Sequence, residues 1–169
     1  MKLKVYFADS PIAAMVLAHG AGGGQMSRFI VEAATGLAAR GISTATFDFP
    51  YMAAGRKVPD KTPVLESSWG EAIHEARRTF ASLPLAIGGK SMGGRIASHV
   101  AAQGNAGKLA GLVFFGYPLH PPGKPAQRRD SHLPSIAEPM LFIQGTRDQF
   151  GTSDEIRALV PSLQHATLH

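Results

Sequence analysis

The segment IGGKSMGGR, residues 87–95, constrains the fold of this chain more than any other stretch. Four glycines and one serine stand directly between the apolar run LPLA and the helix-like run IASHVAAQ. Two kinds of site use such a glycine-rich turn: a loop that cradles a phosphate, and a turn that presents a nucleophilic serine. The flanking runs predict a strand before the turn and a helix after it.

The phosphate-loop alternative fails at its first position. That loop requires the pattern G-x-x-x-x-G-K-[ST], and its second glycine would be Gly89. Counting back, the first glycine should stand at position 84, which is Pro84. Because proline has a fixed φ and no backbone N–H, it supplies neither the flexibility nor the donor that a phosphate cradle needs.

The segment Gly89-Lys90-Ser91-Met92-Gly93 matches the pattern G-x-S-x-G. In this pattern the serine lies on a sharp turn between a strand and a helix, with its hydroxyl exposed. Glycines on both sides allow the backbone to fold back without a Cβ clash. The alternative is a flexible turn without chemistry, but the strand–turn–helix setting favours Ser91 as a catalytic nucleophile.

Apolar runs alternate with helical patterns along the whole chain. The runs are nearly continuous in apolar residues, as parallel strands covered on both faces are. They lie at 14–20, 44–49, 85–89, 109–116 and 139–145, with a further edge strand at Lys2–Phe7. Apolar residues at helical spacing fill the gaps at 29–37, 65–80, 96–101 and 156–160. The alternation predicts one α/β domain over residues 1–169, a mostly parallel sheet with helices on both faces.

Composition excludes several classes of protein. The net charge is +5, but the basic residues are scattered in pairs, and no zinc-finger or RNA-binding pattern accompanies them, so no nucleic-acid partner is predicted. No apolar run reaches the ~18 residues of a membrane span, and the N-terminus lacks the features of a secretory signal. We therefore expect no membrane partner and a cytoplasmic location. The chain has no cysteine, and no metal or organic cofactor is predicted.

The loop HGAGGG, residues 19–24, follows the first buried strand. In open α/β sheets, ligands bind beyond the carboxyl ends of the strands, so this loop is expected at the site. This loop is not a dinucleotide-binding fingerprint, because the pattern that starts at Gly20 meets Gln25 where it needs glycine. A loop of this kind supplies backbone N–H groups to an oxyanion hole. We predict that the N–H groups of Ala21 and Met92 form that hole.

The turn GTRDQFG after the last predicted run contains Asp148. A single aspartate in a turn is usually a cap or a turn residue. However, this position after its strand, in the chain order Ser…Asp…His, is that of a triad acid, and we predict that role for Asp148. Other segments at the same edge contribute four candidate substrate contacts: His19, Tyr51, Tyr117 and His120. The irregular segment 117–138 is long, as functional or mobile loops are.

Taken together, these segments resemble the α/β-hydrolases of the serine-hydrolase type, in the dienelactone-hydrolase-like branch. The chain is most similar to small bacterial predicted hydrolases related to a testis-expressed protein and to a subunit of a histone-acetyltransferase complex. The segments that carry the resemblance are HGAGGG, FDFPYMAAGRKVPD, GGKSMGGR, GYPLHPPGKP and GTRDQFG. The resemblance implies the fold and a Ser-His-Asp site, and it supplies no substrate.

The sequence differs from the family pattern at the position of the triad histidine. This histidine should follow one more strand after the helix at 153–160, and that strand would begin in HATLH, the last five residues. We therefore expect the histidine to lie beyond His169, and the last strand to be truncated. His165 and His169 are interpreted as polar residues of the chain end. His120 is the remaining internal candidate, although it would break the usual chain order.

The sequence therefore predicts esterase-like acyl transfer to water through an acyl-enzyme on Ser91. The alternative is a non-catalytic interaction module on the same fold, because fold alone does not fix function. Basic residues near the predicted strand ends favour acyl substrates that carry a carboxylate or phosphate, unless these side chains point to solvent. They are Arg56, Lys57, Lys90, Lys124 and Arg147.

Overall fold

The computed structural model describes residues 1–169, which contain seven strands and five α-helices. The strands are β1 (Lys4–Tyr6), β2 (Ala13–Ala18), β3 (Ile42–Phe47), β4 (Leu85–Lys90), β5 (Gly111–Phe115), β6 (Met140–Ile143) and β7 (Ala166–Leu168). The helices are α1 (Arg28–Ala38), α2 (Pro50–Ala53), α3 (Thr62–Thr79), α4 (Met92–Ala102) and α5 (Ser153–Leu159).

All seven strands form one sheet in the order β1-β3-β2-β4-β5-β6-β7. Only β1 pairs antiparallel, at one edge against β3, and the other neighbours are parallel. The order reverses between β2 and β4, since the chain leaves β2 towards β3 and then returns to the other side. Loops at such a switch point diverge to opposite faces and leave a crevice at the carboxyl edge of the sheet.

Helices cover both faces of the sheet, as predicted. Met15 and Leu17 of β2 pack with Ile30 and Ala34 of α1 on one face. The alternate β2 residues, together with α3, α4 and α5, belong to the larger core on the other face. Because side chains alternate across a strand, both sets of β2 residues are buried, which explains why this strand is continuously apolar. Trp69 of α3 lies in the larger core, fully buried.

Every predicted strand is present, with ends that differ by at most two residues. The strand expected in HATLH is β7, which pairs parallel with β6. The structure adds the short helix α2, where the sequence predicted neither a strand nor a helix. Proline at the first helical position has a suitable φ and needs no N–H acceptor, so Pro50 can start a helix too short to show a periodic pattern. None of the helices is both long and apolar enough to cross a bilayer.

Candidate active site

A single residue, Ser91, connects β4 to α4. Its φ is 49° and its ψ is −116°, and no other non-glycine residue has a positive φ. The Ser91 N–H donates to the Phe115 carbonyl at 3.0 Å, and the Ser91 carbonyl accepts from the Arg95 N–H at 3.0 Å. Backbone strain at one residue that its neighbours hold in place is characteristic of functional sites. The sharp strand-to-helix turn predicted from G-x-S-x-G is therefore present.

The two motif glycines are required by close backbone packing. A Cβ atom on Gly89 would lie 2.5 Å from the Ala18 carbonyl oxygen, and one on Gly93 would lie 2.5 Å from that of His19. Neither glycine has a positive φ. The end of β2 therefore passes so close to the turn that no side chain fits at either position, which brings the loop after β2 beside Ser91.

Two backbone N–H groups beside Ser91 are available to a ligand. A Cβ atom on Gly20 would lie 3.6 Å from the Ser91 Cβ atom, so the loop contacts the turn directly. The Ala21 N–H donates to no backbone carbonyl. Met92 is the first residue of α4, so its N–H has no acceptor within the helix. These are the two donors that the sequence predicts for an oxyanion hole.

The loop after β2 is held from behind by His19 and by Tyr51 of α2. The Tyr51 hydroxyl donates to the Ala21 carbonyl at 3.1 Å. The His19 ring is fully buried, and burial lowers the pKa of His19, which favours its neutral form. Its Nε2 accepts from the Phe49 N–H at 3.3 Å, so the proton lies on Nδ1, which donates to the Gly20 carbonyl at 2.8 Å. Both residues therefore position the loop.

Asp148 lies in the turn that follows β6, and both of its carboxylate oxygens accept hydrogen bonds. Oδ1 accepts from the Phe150 N–H at 2.9 Å, and Oδ2 accepts from Nε2 of Gln144 at 3.3 Å. The same Gln144 amide donates to the Gly151 carbonyl at 2.5 Å and accepts from the Tyr117 N–H at 2.7 Å. Buried Gln144 thus connects the turn to the segment after β5. Sequence reasoning missed it, although a glutamine that ends an apolar strand was a signal.

A cleft of about 460 Å³ opens beside Ser91. Its lining consists of the loop residues 20–23 together with Ser27, Phe29, Lys90, Ser91 and Phe150. The lining contains no acidic side chain. The Lys90 ammonium lies 4.8 Å from the centre of the Phe29 ring. Lys90 is the one basic residue of the predicted set that lines this cleft.

None of the four predicted substrate contacts, His19, Tyr51, Tyr117 and His120, lines the cleft. Tyr117 is fully buried, its hydroxyl donates to the Arg129 carbonyl at 2.7 Å, and burial raises its pKa. His120 is also buried, and its ring bonds to Pro121 and Glu155. The polar groups of all four side chains bond to other parts of the protein, and contact with a substrate stays a prediction for each of them.

No histidine forms a hydrogen bond with the side chain of Ser91 or Asp148. His165 and His169 flank β7, and their backbone groups extend its pairing with β6. The ring of His120 faces α5. The structure also contains no group of three or more His, Asp or Glu side chains arranged to hold a metal ion.

Comparison with known proteins agrees with this architecture. A serine hydrolase homologue from Coxiella burnetii superposes with a TM-score of 0.77 at 17% identity, over 98% of this chain and 80% of that one. Dienelactone hydrolase from Anabaena variabilis gives 0.76 at 21%, over 99% and 79%. Est1E from Butyrivibrio proteoclasticus, solved with ferulic acid bound, gives 0.70 at 16%, over 99% and 84%.

At these identities the solved structures establish a shared fold. The sequence model of the alpha/beta hydrolase domain matches residues 11–169, which is nearly the whole chain. That match includes the strained serine turn, the loop after β2 and the Asp148 turn. This chain belongs to the α/β-hydrolase family.

Proposed function

We propose that this protein is a serine hydrolase that transfers the acyl group of a carboxylic ester to water through an acyl-enzyme on Ser91. The observation that carries the proposal is the strained backbone of Ser91 at a cleft, beside two available N–H groups. A serine on a sharp strand-to-helix turn, next to two backbone donors, is the arrangement that acyl transfer uses in this fold. Esterases and a dienelactone hydrolase are among the solved neighbours, which supports ester chemistry.

In the proposed reaction, the Ser91 Oγ attacks the ester carbonyl carbon while its proton passes to a base. The N–H groups of Ala21 and Met92 stabilise the negative oxygen of the tetrahedral intermediate. The intermediate then collapses, and the alcohol leaves with a proton. Water attacks the acyl-enzyme in the same way, which releases the acid and restores Ser91.

Asp148 is proposed to be the acid of the site, the residue that would orient a histidine base. A serine hydroxyl without an adjacent base is a weak nucleophile, and no histidine of this chain bonds to both Ser91 and Asp148. The oxyanion hole and the cleft still support slow acylation, because binding and oxyanion stabilisation survive when a triad residue is removed.

A fluorophosphonate probe tests the nucleophile. Prolonged incubation should add one probe to the protein, and Ser91→Ala should abolish the addition. Ser27 also lines the cleft, so Ser27→Ala is a matched control that should keep it. Peptide mass spectrometry locates the adduct. Label that persists in Ser91→Ala, or no label on the unmodified sequence, would contradict the assignment.

We further propose that the substrate carries a negative charge on its acyl part. Lys90 lines the cleft next to Ser91, and its ammonium contacts the Phe29 ring. No acidic side chain of the lining competes with a substrate for this ammonium.

Binding of two anilides that the protein does not hydrolyse tests this proposal. Butyranilide and succinanilic acid both have four-carbon acyl groups, and only succinanilic acid carries a negative charge there. Succinanilic acid should bind more tightly in NMR titrations, and less so in high salt. Lys90→Met should remove the preference and Lys57→Met should keep it; equal binding of the two anilides would exclude the idea.

A non-catalytic interaction module is the second candidate, and the lack of a histidine beside Ser91 favours it. The two candidates differ in what Ser91 contributes. For a module, any hydrolysis of p-nitrophenyl acetate would be the same in the native sequence and in Ser91→Ala. A hydrolase, even a slow one, loses its rate above background in that variant.

A further inference from the structure

His120 occupies an unusual electrostatic position for a buried ring. It follows β5 in the irregular segment, and its residue is only 6% exposed. Its Nδ1 lies 2.9 Å from the Pro121 carbonyl oxygen, and its Nε2 lies 3.0 Å from Oε1 of Glu155. Both partners are acceptors. A neutral imidazole carries one N–H and satisfies one of them, whereas the imidazolium form donates to both.

Hydrogen bonds at the start of α5 favour the ionised form of the Glu155 carboxylate. Its Oε2 accepts from the Thr152 N–H at 2.8 Å, and its own N–H donates to the Thr152 hydroxyl, which completes a capping box. The Thr152 N–H and the His120 ring lower the pKa of Glu155. The nearby guanidinium of Arg128 donates to Asp130, so the His120 ring is the nitrogen group that contacts the Glu155 carboxylate from the segment after β5.

The turn that carries Asp148 directly precedes α5 and contacts the backbone of His120. The His120 N–H donates to the Phe150 carbonyl at 3.0 Å, and the Phe150 N–H donates to Asp148. Gly151 closes the turn with a bond from its N–H to the Asp148 carbonyl at 3.2 Å. Phe150 itself lines the cleft beside Ser91. His120 thus contacts the turn through its backbone and the helix after the turn through its ring.

We infer that His120 is a positioning residue: as an imidazolium bonded to Glu155, it fixes the turn that carries Asp148 and Phe150 against the segment after β5. The pair lies 35 positions apart in sequence and joins α5, which follows the turn, to the segment after β5. This inference rests on the proposed function only for the roles given to Asp148 and Phe150. The contact itself is a property of the folded chain.

Amide hydrogen exchange measured by NMR tests the inference. Glu155→Gln removes the charge but keeps a residue that completes a capping box, so α5 is retained. Exchange of the Phe150 and Gly151 amides should become about tenfold faster, because a bond to a charged group is lost. Core amides of β4, such as that of Ile87, should keep their rates. Asp154→Asn is the matched control, one residue away, and should leave the turn unchanged.

Two further measurements test whether the His120 ring is protonated on both nitrogens. Long-range 1H–15N spectra at pH 6 should show protons on both ring nitrogens of His120, with the signals assigned by their loss in His120→Gln. His120→Gln should also speed the same turn amides; if that variant fails to fold, Glu155→Gln alone decides. A single ring proton, equal effects of Glu155→Gln and Asp154→Asn, or equal acceleration of core amides would each overturn the inference. Absence of probe labelling at Ser91 would count against the proposed function alone.

Discussion

Gly93 and Gly70 both lie within helices, yet their surroundings differ. A Cβ atom on Gly93 would lie 2.5 Å from the His19 carbonyl oxygen and 2.7 Å from that of Ala18, and both are backbone atoms that cannot move aside. Exposed Gly70 of α3 has no atom within 4 Å of the same position. One glycine is therefore required by the fold, and the other is replaceable.

We expect Gly93→Ala to lower the free energy of unfolding by about 3 kcal/mol or more, as overpacking against fixed backbone does. Gly70→Ala should raise it by about 1 kcal/mol, because alanine is the better helix former. Urea denaturation of the two variants measures both changes. Equal stability of the two proteins would show that β2 does not pack against the serine turn as described.

Two tyrosines offer a similar comparison for the loop that carries Ala21. The Tyr51 hydroxyl donates to the Ala21 carbonyl, whereas the buried Tyr6 hydroxyl has no partner. Tyr51→Phe should cost about 1 kcal/mol of stability and slow the probe labelling of Ser91, because one hydrogen bond to the loop is lost. Tyr6→Phe should be neutral or stabilising and leave labelling unchanged. Identical labelling rates in the two variants would remove the role given to Tyr51.

At the scale of elements, two histidines join α4 to the irregular segment 117–138. The ring centres of His99 and His132 lie 4.4 Å apart. Nε2 of His132 lies 2.7 Å from the Ser98 hydroxyl, and Nδ1 of His99 lies 3.0 Å from Oε1 of Glu66. Burial lowers the pKa of both rings, and that of His132 falls to about 4.

This contact predicts loss of stability in acid. The pKa of His132 is about 4 in the folded chain and about 6.5 in the unfolded chain, so below pH 6.5 the unfolded chain binds more protons. The neutral His132 ring therefore makes its whole contribution to the free energy of unfolding above pH 6.5. This contribution decreases as the pH is lowered from 6.5 to about 4, and it does not change further below pH 4. The free energy of unfolding, measured between pH 7 and 4, should fall less steeply in His132→Gln than in the native sequence. Ser135→Ala, in the same turn, should keep the native slope; parallel curves for all three would contradict the prediction.

At the scale of the whole molecule, catalysis depends on whether the fold brings a base to Ser91. Since no histidine bonds to Ser91, we expect the 169-residue chain to hydrolyse p-nitrophenyl acetate barely above background. Loss of a triad histidine lowers kcat by about 10⁶, and the oxyanion hole and binding account for what remains. Steady-state rates for the native sequence and Ser91→Ala measure the difference. Rapid turnover that depends on Ser91 would show that another group acts as the base.

Much of the fold was predictable because its signals are local. Continuous apolar runs identified the strands, since burial on both faces leaves no alternation. The serine turn was predicted because Gly89 and Gly93 flank Ser91 at fixed spacing. The short helix α2 was not, because four residues show no periodicity. The hydrogen bonds of His19 and Tyr51 to the loop after β2 were not predicted either, since their position in the chain, near strand ends, does not show which way a side chain points.

The sequence by itself determined the order along the chain of the seven strands and the four longer helices, the turn at Ser91 and the position of Asp148 after β6, because each follows from residues adjacent in the chain. Only the tertiary structure decided which side chains line the cleft and which lie behind it. The bond from His120 to Glu155 and the bonds of Gln144 join segments that are distant in sequence. Those pairings depend on the order of the strands in the sheet and on the close packing of the loops. No local sequence pattern predicts either of these two features.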